Sequence, residues 1–246
     1  MSRLLVTQLS VYGMRSLDHV ELELSAPTDA TRGPEHGGAV PTVLIGPNGA
    51  GKSTLVEACE LLRKAGTERP FVGRLFDAHG GPPALVRRNA NRLQIGVRFA
   101  SANGIELMYS VALRVVAMSL TIDSEVATII EPGKGARDLL VRSQRSFVAA
   151  QPGLEEIERP VDQDDDLVLS SVAFHVPELK EIQTALASIE VHTAADTRAS
   201  WTVLGSDAGP RSTNIVRPVS RVEVGGRNLP NVYHALRIQK DWQRTL

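Results

Sequence analysis

The sequence predicts an α/β fold, a phosphate-binding lobe with a mixed sheet and an antiparallel β-meander, and three observations predict it. Residues 46–54 read Gly-Pro-Asn-Gly-Ala-Gly-Lys-Ser-Thr and satisfy the pattern G-x-x-x-x-G-K-[ST] in full. The apolar run Val43, Leu44 and Ile45 precedes them, and Leu55, Ala58, Cys59 and Leu62 follow at helical spacing, the strand–loop–helix order that the motif requires. From Arg92 onward the period changes to two: Leu93, Ile95, Val97 and Phe99 alternate with polar residues, and Ile105, Leu107, Tyr109, Val111 and Leu113 alternate again after the turn Ala102-Asn103-Gly104.

The loop residues carry a specific chemistry. Glycines at 46, 49 and 51 allow positive φ and a close approach of backbone N–H groups to phosphate oxygens. The helix that follows points its unpaired N–H donors and its positive dipole end at the same anion. Lys52 is placed for the β- and γ-phosphates, Ser53 for Mg²⁺, and Thr54 adds a hydroxyl. The predicted nucleotide-binding residues are therefore Gly46, Pro47, Asn48, Gly49, Ala50, Gly51, Lys52, Ser53 and Thr54. ATP with Mg²⁺ is the expected ligand, because no guanine-reading N-K-x-D stretch occurs in the chain.

The remaining elements follow from local patterning. Leu4 to Val11 and Val20 to Leu24 read as two strands around a turn at Gly13 to His19, and Ser25 to Ala39 reads as a long loop. Lys64 and Gly66 are expected to stop the helix after the phosphate loop, and Thr67 to Ala90 reads as irregular, with a break at Gly80-Gly81-Pro82-Pro83. Met118, Leu120 and Ile122 form a third alternating run, and Val126, Thr128 and Ile130 a fourth. Gly133 to Pro160 reads as loop with a short strand at Leu139 to Val141. Pro177 opens a helix with Leu179, Ile182, Leu186 and Ile189 on one face; Glu190 to Thr193 suggests a strand, Gly205 to Pro210 a turn, and Val232 to Trp242 a last helix. The expected organisation is one lobe over 1–246, with the phosphate loop in 1–66, the meander in 92–131 and a mixed segment in 167–246.

Composition narrows the class. The net charge of −1 argues against a surface that coats nucleic acid generally but leaves a local basic strip open. Arg87, Arg88, Arg92 and Arg98 fall along the meander, where a solvated sheet face is favoured over backbone contact with DNA or RNA. The single Cys59 excludes an internal disulfide and suits a reducing cytoplasm, and no apolar run of about 18 residues suggests a membrane span. Asp162, Asp164, Asp165 and Asp166 lack the glycine and terminal glutamate of a calcium loop, and His36, His175, His192 and His234 have no partners at metal-ligand spacing.

The stretch from Gly46 to Thr54 resembles the phosphate loop of ABC-class ATPases of the RecF/SMC-like kind, a group that includes overcoming-lysogenization-defect-like proteins. Leu4 to Leu17 is similar to the opening strand and N-F-R-S-F/L turn of those heads, with Tyr12-Gly13 in place of Asn-Phe and Met14 before the arginine. The resemblance implies that Arg15 and Ser16 lie near the nucleotide, that an antiparallel subdomain flanks the phosphate loop, and that Gln144 is the position at which to seek a glutamine contacting Mg²⁺ and water. It also implies a hydrolytic acid at the end of a buried apolar strand and a Leu-Ser-Gly-Gly-like loop, and neither pattern occurs. Asp123 and Glu125 are the nearest acids, in a half-exposed setting. The expectation is an incomplete ATPase head that needs a second half or a self-association partner. The alternatives are a nucleotide-gated interaction module and a small P-loop kinase.

Overall fold

The computed structural model describes residues 4–24, 42–79, 82–117, 119–149, 159–161, 165–191 and 231. The chain divides into two compact units, Met1–Ile189 and Glu190–Leu246. Of the second, Glu190, Val191 and Asn231 are described. The loop at 25–39, the glycines at 80 and 81, Met118, Asp162, Asp164, and the expected elements beyond 191 lie outside the described residues.

The first unit is an eight-stranded sheet covered by helices. Its strands are β1 (Leu5–Met14), β2 (Leu17–Glu23), β3 (Arg92–Ala100), β4 (Glu106–Val116), β5 (Ser119–Glu131), β6 (Gly135–Arg142), β7 (Ser146–Ala149) and β8 (Arg159–Pro160), in the order β2-β1-β3-β4-β5-β6-β7-β8. Every pairing among the described residues is antiparallel, so the fold is α and β with an antiparallel sheet where a mixed one was expected. The missing parallel part traces to Val43, Leu44 and Ile45. They form no strand among the described residues and are 73%, 39% and 92% exposed. A strand of that kind is stable when flanking strands take its backbone groups and both its faces are covered.

The β1–β2 hairpin is tighter than the sequence suggests. Gly13 has φ +65, a Cβ there would stand 2.3 Å from the Arg92 carbonyl oxygen, and Arg15 takes φ 48 in the two-residue turn that Met14 and Leu17 close. The β3–β4 hairpin turns at Asn103-Gly104 as expected, with Gly104 at φ +80 and its N–H donating to the Ser101 carbonyl at 3.1 Å. Leu93, Ile95, Val97, Phe99, Leu107, Tyr109, Val111 and Leu113 all point into the core. On the opposite face Ser10, Gly96 and Ser110 stand in register, which keeps that face small and polar.

The third and fourth runs are one strand. β5 carries a bulge at Asp123: Ile122 pairs with Leu113 and Ser124 with Ala112, so one residue is left over. An extra residue inverts the alternation beyond it. Leu120 and Ile122 are buried before the bulge, and Glu125, Ala127 and Ile129 after it, while Val126, Thr128 and Ile130, the face expected from the sequence, are half-buried. The meander also continues past 131 through β6, β7 and β8; the short strand expected at Leu139 to Val141 lies within β6, and the rest of these strands fall where a loop was expected.

The helices are α1 (Lys52–Thr67), α2 (Phe71–His79), α3 (Pro82–Leu85), α4 (Leu169–Val172) and α5 (Pro177–Ala187). In α1 the predicted face holds: Leu55, Ala58 and Leu62 are buried, joined by Leu61 and Ala65, with Cys59 half-buried. Burial pushes the Cys59 thiol above its ordinary range, so it is a packing group. Gly66 does not stop the helix; it lies inside it, where a Cβ would meet the Ala187 nitrogen at 2.7 Å and the Gln183 carbonyl at 2.9 Å. The stretch expected to be irregular instead contributes Phe71, Val72 and Leu75 to the core.

Candidate phosphate-binding site

Local sequence sets the loop's shape. Pro47, Asn48, Gly49 and Ala50 form a turn closed by the Ala50 N–H on the Pro47 carbonyl at 3.3 Å. Gly49 and Gly51 take φ 84 and φ 92, as two of the three glycines were expected to; Gly46 does not have positive φ. Gly51 is fixed by its surroundings as well. A Cβ there would stand 2.3 Å from Leu17 Cδ2 and 3.3 Å from Ser16 Oγ, so the loop ends pressed onto the β1–β2 turn.

Helix α1 starts directly from Gly51. No side chain caps it and no acid lies in its first turn, which leaves N–H donors and the positive dipole end directed at the loop. Residues 46–50 are exposed, as is Ser53, while Thr54 is buried beneath them at 6%. The Lys52 ammonium donates to the Gly46 and Pro47 carbonyls, each at 2.7 Å. It therefore closes the mouth of the loop from the inside, a position from which an anion's oxygens can replace the two carbonyls.

Arg15 lies in the turn with Ser16, before Leu17, and it is Ser16 and Leu17 that approach Gly51 of the loop. Its guanidinium is engaged in a two-point pair with Glu57 of α1, at 2.5 and 2.7 Å. Gln144 lies in the β6–β7 turn, where its amide donates to Asp123 Oδ1 at 2.9 Å. The same Asp123 carboxylate takes Arg114 Nη2 at 2.7 Å and Arg92 Nε at 3.1 Å, and its side chain is 8% exposed.

Glu125, the other nearby acid, is fully buried. Its carboxylate accepts from Tyr109 Oη at 2.9 Å, from the Val168 N–H at 2.8 Å and from the Leu169 N–H at 3.1 Å, and faces Arg142 at 3.9 Å. Arg142 in turn donates to the Asp166 carbonyl. Desolvation raises the Glu125 carboxyl and, more strongly, the Tyr109 hydroxyl. This group fastens the segment leading into α4 to the sheet. The alternation of β5 conceals it unless the bulge is counted, after which Glu125 falls on the buried face and demands a partner.

The acids expected as a loose cluster are used locally where they are described: the Asp165 carbonyl accepts the Val72 N–H at 3.0 Å, and Asp166 Oδ1 accepts the Leu167 N–H at 2.9 Å. Among the described residues no group of His, Cys, Asp and Glu could hold a metal ion, and no helix is long and apolar enough to cross a membrane. No protein-family model matches the chain, and no curated protein matches it.

Proposed function

We propose that this chain is a Mg·ATP-binding lobe of a RecF/SMC-like P-loop ATPase, which requires a second half or a partner copy to hydrolyse ATP. The observation that carries the reading is the loop itself: Gly49 and Gly51 at positive φ, an uncapped α1 free of first-turn acids, and Lys52 held at the mouth by 2.7 Å bonds. These groups fit a polyphosphate. The loop N–H groups would cradle the α- and β-phosphates, Lys52 would take the β/γ oxygens, and the Ser53 hydroxyl would hold Mg²⁺, which neutralises charge on the phosphates when bound.

Dependence on a partner is supported by what the acids are doing. Asp123 is committed to Arg92, Arg114 and Gln144, Glu125 to the anchor of α4, and Glu57 to Arg15. An acid that activates water must come within hydrogen-bond reach of it. The exposed run Val43 to Ile45 points the same way, since it offers apolar side chains beside the loop.

The test is nucleotide binding by calorimetry with and without Mg²⁺, with turnover followed on the same sample. Lys52→Ala should weaken ATP by about thirtyfold or more, the loss of about 2 kcal/mol in charge-assisted contact. Ser53→Ala should weaken it only when Mg²⁺ is present. Undiminished affinity in Lys52→Ala would defeat the reading; turnover by the isolated chain would defeat the partner requirement.

A further inference from the structure

β2 closes one side of the sheet, and no strand pairs with its outer edge among the described residues. The Leu24 N–H donates to the Thr7 carbonyl at 2.8 Å, and the pairs Leu9 with Leu22 and Val11 with Val20 continue that register. Successive residues of a strand direct their backbone groups to opposite sides. Val20 and Leu22 therefore bond to β1, while His19, Glu21 and Glu23 turn their N–H and C=O groups outward. Such an edge is a template for another strand unless proline, a bulge or an inward charge blunts it. Residues 19–23 hold no proline, and no register shift interrupts their pairing with β1.

The edge is self-complementary in one register. When two copies of β2 lie antiparallel about a two-fold axis at Val20, His19 of each stands opposite Glu21 of the other. Both pairs fall where the outward N–H and C=O groups exchange bonds, and the two Val20 residues meet in the closer, non-hydrogen-bonded pair. An axis one residue away sets Glu21 opposite Glu21 or His19 opposite His19. The side chains are already placed for the favourable register: the His19 ring meets Tyr12 edge-on with centroids 6.2 Å apart, and its Nε2 lies 3.5 Å from Glu21 Oε1, with both side chains about three-fifths exposed. The other acids of β2 oppose this register little. Asp18 faces Arg87 at 3.8 Å, and the two copies of Glu23 come to lie about 20 Å apart along the strands.

We propose that β2 docks a second copy of this chain edge to edge, in an isologous dimer whose two sheets run on as one. A second copy supplies the imidazole, the valine and the carboxylate in the order that the edge requires. The backbone bonds give the affinity, and the His19 and Glu21 pairs fix the register. The contact is short and buries no large apolar face, so it belongs to the transient class, with dissociation between about 1 µM and 1 mM. No residue of the phosphate loop enters it, so it forms without nucleotide.

The test is sedimentation equilibrium of the full chain without nucleotide, from about 1 µM to 1 mM. The wild type should pass from monomer to dimer over that range. H19E and E21K should each weaken association by about tenfold, since each mismatches two cross-strand pairs, whereas H19E/E21K, which again sets a carboxylate opposite a cation, should associate within about threefold of the wild type or more tightly. Both side chains are exposed, so all three variants should keep the wild-type melting temperature. Mild oxidation should link V20C to its symmetry mate, because non-hydrogen-bonded partners hold their Cα atoms about 4.5 Å apart, within disulfide reach. L22C, about 14 Å from its mate in this register, should stay unlinked; the wild type, with its half-buried Cys59, is the blank. Lys52→Ala should dimerise as the wild type does, which separates this inference from the nucleotide-binding proposal. A wild type that stays monomeric, a double variant no better than the single ones, or equal linking of L22C and V20C would overturn the inference.

Discussion

Gly66 of α1 and Ala187 of α5 approach so closely that a Cβ on Gly66 would stand 2.7 Å from the Ala187 nitrogen. The neighbouring Gln183 carbonyl and Leu186 Cβ, each at 2.9 Å from the same point, close off other directions. The clash is mainly with backbone, so the helices would have to separate. Gly66→Ala should cost about 1–3 kcal/mol, as overpacking does, against the gain of less than about 1 kcal/mol that the better helix former brings at an open position. A chemical denaturation series checks the sign, and a stabilised variant would contradict the packing described.

Gly51 and Gly49 share a left-handed backbone but differ in surroundings. Gly51 meets Leu17 Cδ2 at 2.3 Å, and Gly49 has nothing within 4 Å of the position a Cβ would take. Gly49→Ala should therefore cost only the conformational penalty of about 1–2 kcal/mol, whereas Gly51→Ala should cost more and also displace the β1–β2 turn. Melting temperatures of the two variants decide this; equal losses would show that Leu17 yields freely.

The burial of Glu125 has a pH signature. Its carboxyl is raised from an ordinary value of 4.5, chiefly by desolvation, although Leu169, Tyr109 and Val168 donate to it and Arg142 faces it. An acid that holds its proton more tightly when folded contributes stability that is full below pH 4.5 and is lost as pH rises through the folded value. Glu125→Gln removes that titration and replaces one acceptor by a donor facing N–H or O–H groups, at a cost of about 1–3 kcal/mol. The wild type should be more stable than Glu125→Gln, with the gap widest in acid and narrowing toward neutral pH. A gap that widens with pH would mean that the donors outweigh desolvation.

Asp123 should matter through repulsion as much as attraction. Asp123→Ala leaves Arg92 and Arg114 opposed without a counter-charge, and should destabilise the fold by about 1–2 kcal/mol, a figure kept low because both guanidinium groups remain in contact with water. Adding Arg114→Gln should recover part of that loss. A double variant no better than the single one would remove the repulsion from the account.

How far the sequence revealed this structure depended on whether the signal was local. The shape of the loop at 46–54, the Asn103-Gly104 turn and the inward faces of β3 and β4 are each set within a few residues. That every pairing among the described residues is antiparallel was not legible, because Val43, Leu44 and Ile45 have the composition of a buried strand, and pairing is decided by other segments. Glu125 was hidden for a different reason: alternation counted without the Asp123 bulge puts Val126 on the inner face and Glu125 outside. Gly66 resembled a helix stop because glycine has two uses near helix ends, and only the position of α5 distinguishes close approach from termination. At the candidate site, Glu57 and Arg114 carry no motif, so their pairing with Arg15 and Asp123 emerged only when distant strands and helices were brought together.

The bulge in β5 also acts as a reading-frame shift within the strand. Removing residue 123 would put Ile122 next to Ser124, and plain alternation would then carry Leu120, Ile122, Glu125, Ala127 and Ile129 on one face without a bulge. With residue 123 kept and the bulge suppressed, one half of the strand would turn its apolar residues to water. A deletion scan along β5 should therefore find the loss of residue 123 compatible with the buried face, its cost limited to what Asp123 contributes through Arg92 and Arg114.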